Sequence, residues 1–373
     1  MEKKSYFVGV LFVAGTLVML NSCKKDISTN DAVSFDAVLK SGGDFSPFTN
    51  SKSLINQTTS SVAVDSGTWN CTNSTFAVVQ GNQDFPLYDP NVSVVYPGSL
   101  LQGASLNNAT PDVVAVKRGP GTVSIDIVNG SGLVYVNLPE VKKSRITQAL
   151  NDIIYNNNKV MPARFTFQNE SVKSQDEVSL ALGLNVDAWG ATAASNLTFS
   201  HTANYNHSLV ILKQSFFTMS FDIPATYADL FAPTVKPQDL AVYVNAGNPA
   251  CYVSDVTYGR VFYLLIESSD SANTITSAIS ATYMGQGGTI DASSLSGLHN
   301  LSIKVIAIGG STSSTFSLIN ASQLSSLTTL LGQSADIKTG VPLSYVVRTV
   351  YNNKLVKNKI NLTYTLNDCN LIP

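Results

Sequence analysis

Three histidines, His201, His207 and His299, are the side chains best suited to hold a metal or move a proton near neutral pH. The even spacing of His201 and His207 puts them on one face of a strand but makes them a poor helical pair. All three lie in charge-poor stretches of Ser, Thr and Asn, so a zinc ion would lack its remaining ligands. There is no G-x-S-x-G, no H-E-x-x-H and no phosphate-binding glycine loop. These patterns point away from an enzyme and imply no metal or cofactor. With 13 % charged residues and a formal net charge of −2, the 373-residue chain offers no basic face to a nucleic acid. Of the cysteines, Cys71, Cys251 and Cys369 show no metal-ligand spacing. At most one bridge can form among them. Cys71 and Cys369, near the two ends of the expected folded part, are the favoured pair, with pairings to Cys251 left open.

The first residues are processing signals. MEKK is a short basic start, SYFVGVLFVAGTLVML has the length of a signal-peptide core, and LNSC ends it. LNSC resembles the lipobox of bacterial lipoproteins, and this resemblance implies removal of residues 1–22 and lipidation of Cys23. KKDISTND then resembles the post-cysteine segment of Bacteroidota lipoproteins, some of which reach the outer-membrane surface. Residues 23–65, rich in Ser, Thr, Asn, Asp and Gly, read as a lipid-anchored flexible tether, and 66–373 as the folded core.

The alternation in SLALGLNVDAWGATAASNLTFSHTANYNHSLVIL (179–212) outlasts an ordinary strand. Leu180, Leu182, Leu184 and Val186 occupy one phase. After a small-residue turn, Leu197, Phe199, Ala203 and Tyr205 take up another against Thr198, Ser200, Thr202 and Asn204. Residues 273–310 repeat the plan: Ile275, Ile279, Ala281 and Tyr283 alternate with Thr and Ser, GQGGT supplies a turn, and Leu301 resumes the odd phase. Each arm has roughly the ten residues that a tilted transmembrane strand needs. A soluble β-sandwich and a pair of membrane-inserting hairpins both fit this period. In the second case the segments must hide their apolar faces before insertion, and short amphipathic helices would do so.

Further blocks are specific. VVYPGSLLQGASLNNATPDVVAVKRGPGTVSIDI, MPARFTF, KSQDEVSLALGLNVDA, LKQSFFTMSFDIPATYADLFA, YVSDVTYGRVFYLLIESS, VIAIGG and GVPLSYVVRTV follow one another between Val94 and Val350. Their order and content resemble the cholesterol-dependent, or thiol-activated, cytolysins. The resemblance implies an α+β pore-former fold of the MACPF/cytolysin type. A bent four-stranded antiparallel sheet would be flanked by two helical clusters that convert to transmembrane β-hairpins, over 174–207 and 269–302. Val253–Glu267 and Leu209–Phe221 would be central strands. Gly309 and Gly310 would form the bend that shields the sheet edge. Phe167 and Ile303 fall where the family pairs strands between subunits, although Ile303 breaks its aromatic pair.

The chain also departs from the family. It continues into no Trp-rich, Cys-containing loop, so cholesterol recognition is not expected. STSSTFSLINAS lacks the cation that the family places after its glycine pair. The resemblance is therefore nearest to the short cytolysin-like lipoproteins of Bacteroidota. It implies a target-membrane lipid surface, a homo-oligomer or a hetero-oligomer with a longer cytolysin-like subunit, and use against other bacteria. The protein would sit at the outer membrane or be released, and would enter the target membrane after oligomerising. A non-lytic adhesin or scaffold and an immunity-type lipoprotein are the alternative readings.

Overall fold

ACYVSDVTYGRVFYLLIES is rich in β-branched and aromatic residues, and its second half is almost unbroken in apolar character. That is the pattern of a strand covered on both faces. It forms one 19-residue strand in the computed structural model, which describes residues 34–64, 67–89, 92–127, 132–157, 165–200, 204–283, 292–310, 315–333 and 336–371.

In chain order the elements begin with α1 (Phe35–Ser41), β1 (Ser51–Val64), β2 (Gly67–Asn82), β3 (Phe85–Pro86), β4 (Leu100–Gln102), β5 (Gly121–Asp126) and β6 (Tyr135–Leu138). There follow α2 (Lys143–Asn156), β7 (Thr166–Val172), α3 (Gln175–Ala181), α4 (Val186–Trp189), β8 (Asn206–Phe221), α5 (Pro237–Ala241) and β9 (Ala250–Ser268). The chain closes with α6 (Ala272–Tyr283), β10 (Ser302–Ile308), β11 (Thr315–Asn320), α7 (Leu324–Gly332), β12 (Val341–Thr349), β13 (Leu355–Val356) and β14 (Asn358–Leu371).

The two long strands β8 and β9 are antiparallel and carry different partners along their length. The first half of β8 pairs with β7 and the second half of β9 with β10, which makes the four-stranded order β7-β8-β9-β10. The other half of β8 pairs with β5, and the other half of β9 with β12. At the junction the β8–β9 register shifts between Ser215 and Phe217, beside Gly259. A Cβ on Gly259 would collide with the Gln214 carbonyl, so only glycine permits this close approach. Such an irregularity bends the strands that carry it. Beyond the junction a large core gathers Phe217, Met219, Phe221, Tyr252 and Val256 with Ile146, Ile153 and Leu39.

β1, β2 and β14 form a separate three-stranded antiparallel sheet. The expected tether is therefore corrected over much of its length. Ser51–Val64 is paired with β2 from Ser51↔Val79 to Val64↔Gly67, and α1 buries Val38 and Leu39. Ser34 caps α1 by accepting from the Ala37 N–H at 3.1 Å. The described side chains of β1 are exposed, so its Ser- and Thr-rich sequence never had to show a buried face and could not be told from linker. Cys71 lies opposite Cys369 in register, and the two form a disulfide. Cys251 is a buried free thiol, pushed up by burial. Residues 1–22 and Cys23 lie outside the described residues.

Candidate functional site

The first alternating segment covers one face of the four-stranded sheet. Ser174 starts α3 by accepting from the Glu177 N–H at 3.2 Å, and small-residue turns then lead through α4 to a 3-10 turn at Ala193–Asn196. Leu182, Leu184, Ala194 and Leu197 are buried against Val172, Leu209, Tyr263, Leu265 and Ile306, with Phe199 half-buried beside them. Leu180 points elsewhere, into a small core with Val78, Ile360 and Tyr364 of the three-stranded sheet. Val186 lies in α4, Tyr205 is half-buried just before β8, and Ala203 lies outside the described residues.

Polar ties hold this segment at both ends. Glu177 accepts from the Tyr364 hydroxyl at 2.9 Å and pairs with Lys52 at 3.3 Å, whose ammonium also lies 4.7 Å from the Phe76 ring. The Tyr88 hydroxyl donates to the Leu182 carbonyl, and Asn358 Nδ2 donates to the Gly183 carbonyl at 3.0 Å. At the far end the Lys304 ammonium donates to the Thr198 carbonyl. There too the Phe199 ring stacks on His207 at 3.9 Å, and the Ser200 N–H donates to Glu267 Oε1 at 2.6 Å.

The second segment covers the opposite face. Ile275 and Ile279 of α6, with Ala292, Leu295, Leu298 and Leu301, pack on Val210, Leu212, Leu264, Ile266 and Val305, and on Leu327 and Leu331 of α7. Tyr283 stacks on Phe167 at 5.3 Å, and burial pushes its hydroxyl up. Ala281 is exposed. Asp270 clasps the base of the segment, accepting from the His299 N–H at 2.6 Å and facing the His299 ring at 3.0 Å.

The helical state and the alternating sequence are compatible for a geometric reason. Residues i and i+4 share a face in a helix and also in a strand. Ile275 and Ile279 satisfy both, buried together on one face of α6. Positions at other spacings separate the two states: Ser277 and Ala281 share the strand face of Ile275 yet are exposed on α6. Strand register adds a correction. His207 pairs with Glu267, and Glu267 with Ser302. Continued outward, that register sets Leu180, Phe199, Ile275 and Leu298 on one face. It sets Leu301 with Ile303 on the other, so Leu301 does not share the apolar hairpin face expected of it.

The two sheet edges differ. Among the described residues β7 has β8 as its only strand partner. The outer edge of β10 is covered by β11, from Ser302↔Asn320 to Ala307↔Thr315. Gly309 and Gly310 end β10 at φ of 79° and 87°, and a Cβ on Gly309 would lie 2.5 Å from the Gly259 carbonyl oxygen. Phe167 and Ile303 stand on the same sheet face at opposite edges, with Ile303 fully buried under the second segment. No described helix is long and apolar enough to cross a bilayer.

Comparison with known proteins places this arrangement. Residues 72–365 match the family model described as "Thiol-activated cytolysin". Ivanolysin of Listeria ivanovii is 27 % identical over 303 residues, covering 77 % of this chain and 57 % of that protein. Tetanolysin of Clostridium tetani is 28 % identical over 246 residues, covering 63 % and 46 %. The chain thus spans about half the length of these curated relatives. The crystal structure of listeriolysin O aligns with TM-score 0.71 and 22 % identity over 90 % of this chain and 73 % of that one. A non-hemolytic pneumolysin from Streptococcus pneumoniae strain ST306 aligns at 0.70 and 21 %, over 87 % and 70 %. With its bent sheet, its two helical covers and this match over most of its length, the chain belongs to the thiol-activated cytolysin family.

Proposed function

We propose that this chain is a pore-forming subunit that assembles side by side on a membrane and converts both helical segments into β-hairpins of a shared barrel. The observation that carries the reading is the double character of those segments. They are helical in the fold, alternate with period two in sequence, and flank strands whose register they would extend. A closed barrel satisfies every backbone group in lipid. Subunits would join by the open β7 edge of one and the β10 edge of the next, once β11 moves away. Such a head-to-tail interface generates rings. Lipidation at Cys23, an outer-membrane location, a longer cytolysin-like partner and use against other bacteria belong to the same reading. Labelled fatty acid should attach to the parent protein and not to Cys23→Ser, and equal labelling would end the lipoprotein reading.

Two neighbouring hydroxyl residues test the insertion. Thr276 and Ser277 are both exposed on α6 but occupy opposite strand faces. Surface substitutions of this kind cost the soluble fold about 0.5 kcal/mol or less. In the barrel, Ser277→Asp would face hydrocarbon at a cost on the order of 2 kcal/mol per subunit, whereas Thr276→Asp would face water. Equal melting temperatures with dye release from liposomes only by Thr276→Asp are expected. Equal release by both would rule out insertion of this segment.

A further inference from the structure

Residues 198–200 form the last stretch of the first segment before the chain enters β8, and three different strands grip them. Lys304 of β10 holds the Thr198 carbonyl, His207 of β8 lies flat under the Phe199 ring, and Glu267 of β9 holds the Ser200 N–H. The three side chains share one sheet face. His207 is directly opposite Glu267, and Lys304 is two residues along β10 from the partner of Glu267. All are buried: His207 is 5 % exposed, Glu267 0 % and Lys304 8 %. His207 Nε2 lies 3.7 Å from Glu267 Oε1. Elsewhere on this face the residues under the segment are largely apolar.

We propose that Glu267, flanked by His207 on β8 and Lys304 on β10, forms with them a charge-compensated latch that fastens the carboxyl-terminal arm of the first hairpin segment and sets the barrier to its release. The latch grips backbone and one ring rather than a matched side chain, so it secures the segment without asking its sequence for a charge. That matters at Phe199, whose strand face would meet hydrocarbon in the barrel, where a charge is costly. Among the described residues the second segment shows no buried Glu–Lys counterpart: its apolar contacts are joined at the base by the Asp270–His299 clasp and by Ser268 Oγ donating to the His299 carbonyl at 2.8 Å. Neighbouring charges are engaged elsewhere. Glu177 binds Lys52 and Tyr364, Lys173 binds Asp368, and Asp270 binds His299. The nearby Tyr88 and Tyr263 hydroxyls are pushed up by burial and stay neutral.

The importance of the latch to pore formation rests on the proposed function, but the fastening itself is read without a membrane. The chain has two tryptophans, and Trp189 lies in α4 of this segment while Trp69 lies in β2. Emission and acrylamide quenching of Trp189 in a Trp69→Phe background report release of the segment. Trp69 in a Trp189→Phe background reports the rest of the fold. Glu267→Gln and Lys304→Met each leave one buried charge uncompensated. Each is expected to raise the released fraction about tenfold or more, with Trp69 unchanged. Lys304→Arg should restore the parent signal. The double variant, with no charge left over, should lie closer to the parent than either single variant. With liposomes, the single variants should release dye with a shorter lag. Additive losses in the double variant would show packing rather than a latch and overturn the proposal. So would simultaneous release of Trp69, or no change in Trp189. Loosened Trp189 without any dye release from the parent or the variants would leave the latch intact and refute the pore.

Discussion

Leu197 is a residue with two environments. In the soluble fold it is completely buried against the sheet, and in a barrel it would face lipid on the strand face of Phe199. Leu197→Ala should therefore destabilise the soluble protein by about 2–5 kcal/mol, read from the urea midpoint. Gly309 is constrained by backbone instead. At φ 79°, with no room for a Cβ beside the Gly259 carbonyl, Gly309→Val should lower the melting temperature and loosen β11, seen as faster amide exchange over 315–320. Such residues were unevenly legible. The apolar phase of Leu182, Leu184 and Leu197 was visible because alternation is written locally. The grip of His207, Glu267 and Lys304 on 198–200 was not, because three distant stretches meet there only through strand register. Leu301 was misplaced for the same reason, since its face depends on Ser302 pairing with Glu267 across a gap in the alternation.

The elements divide in the same way. β8 and β9 were expected as central strands, and α3, α4 and α6 as the helical resting form of the alternating segments. Their repeated apolar residues constrain both states. β1 reads as tether in sequence, because a strand with its described side chains exposed has no periodicity to betray it. The clasp at the base of the second segment makes a pH prediction. The backbone N–H and then the ring of His299 hold the Asp270 carboxyl below its usual range. A depressed value in the folded state adds stability above the unfolded value of about 3.9, and that stability is lost as pH falls through the lower folded value. Amide protection across α6 and 292–298, corrected for intrinsic exchange, should hold from pH 7 to pH 5 and fall only below about pH 4. Asp270→Asn should weaken it throughout.

At the scale of the whole molecule, Cys71 and Cys369 are 298 positions apart in sequence and directly opposite in the three-stranded sheet. Closing so long a loop restricts the unfolded chain by on the order of 5 kcal/mol in the chain-entropy account. Replacing both cysteines by serine should lower the urea midpoint accordingly, while the free thiol described, Cys251, stays buried and unreactive.

The unequal edges of the four-stranded sheet have a kinetic consequence. Among the described residues one edge is open and the other is shut by β11, so a growing arc would lengthen by uncovering one terminus at a time, as a polymer extends from an active end. A subunit with β11 stapled to β10 could still offer β7 and be accepted, but it could not pass growth on. It would act as a chain terminator. A small fraction of such subunits would leave incomplete arcs and silence many normal neighbours, far beyond simple dilution.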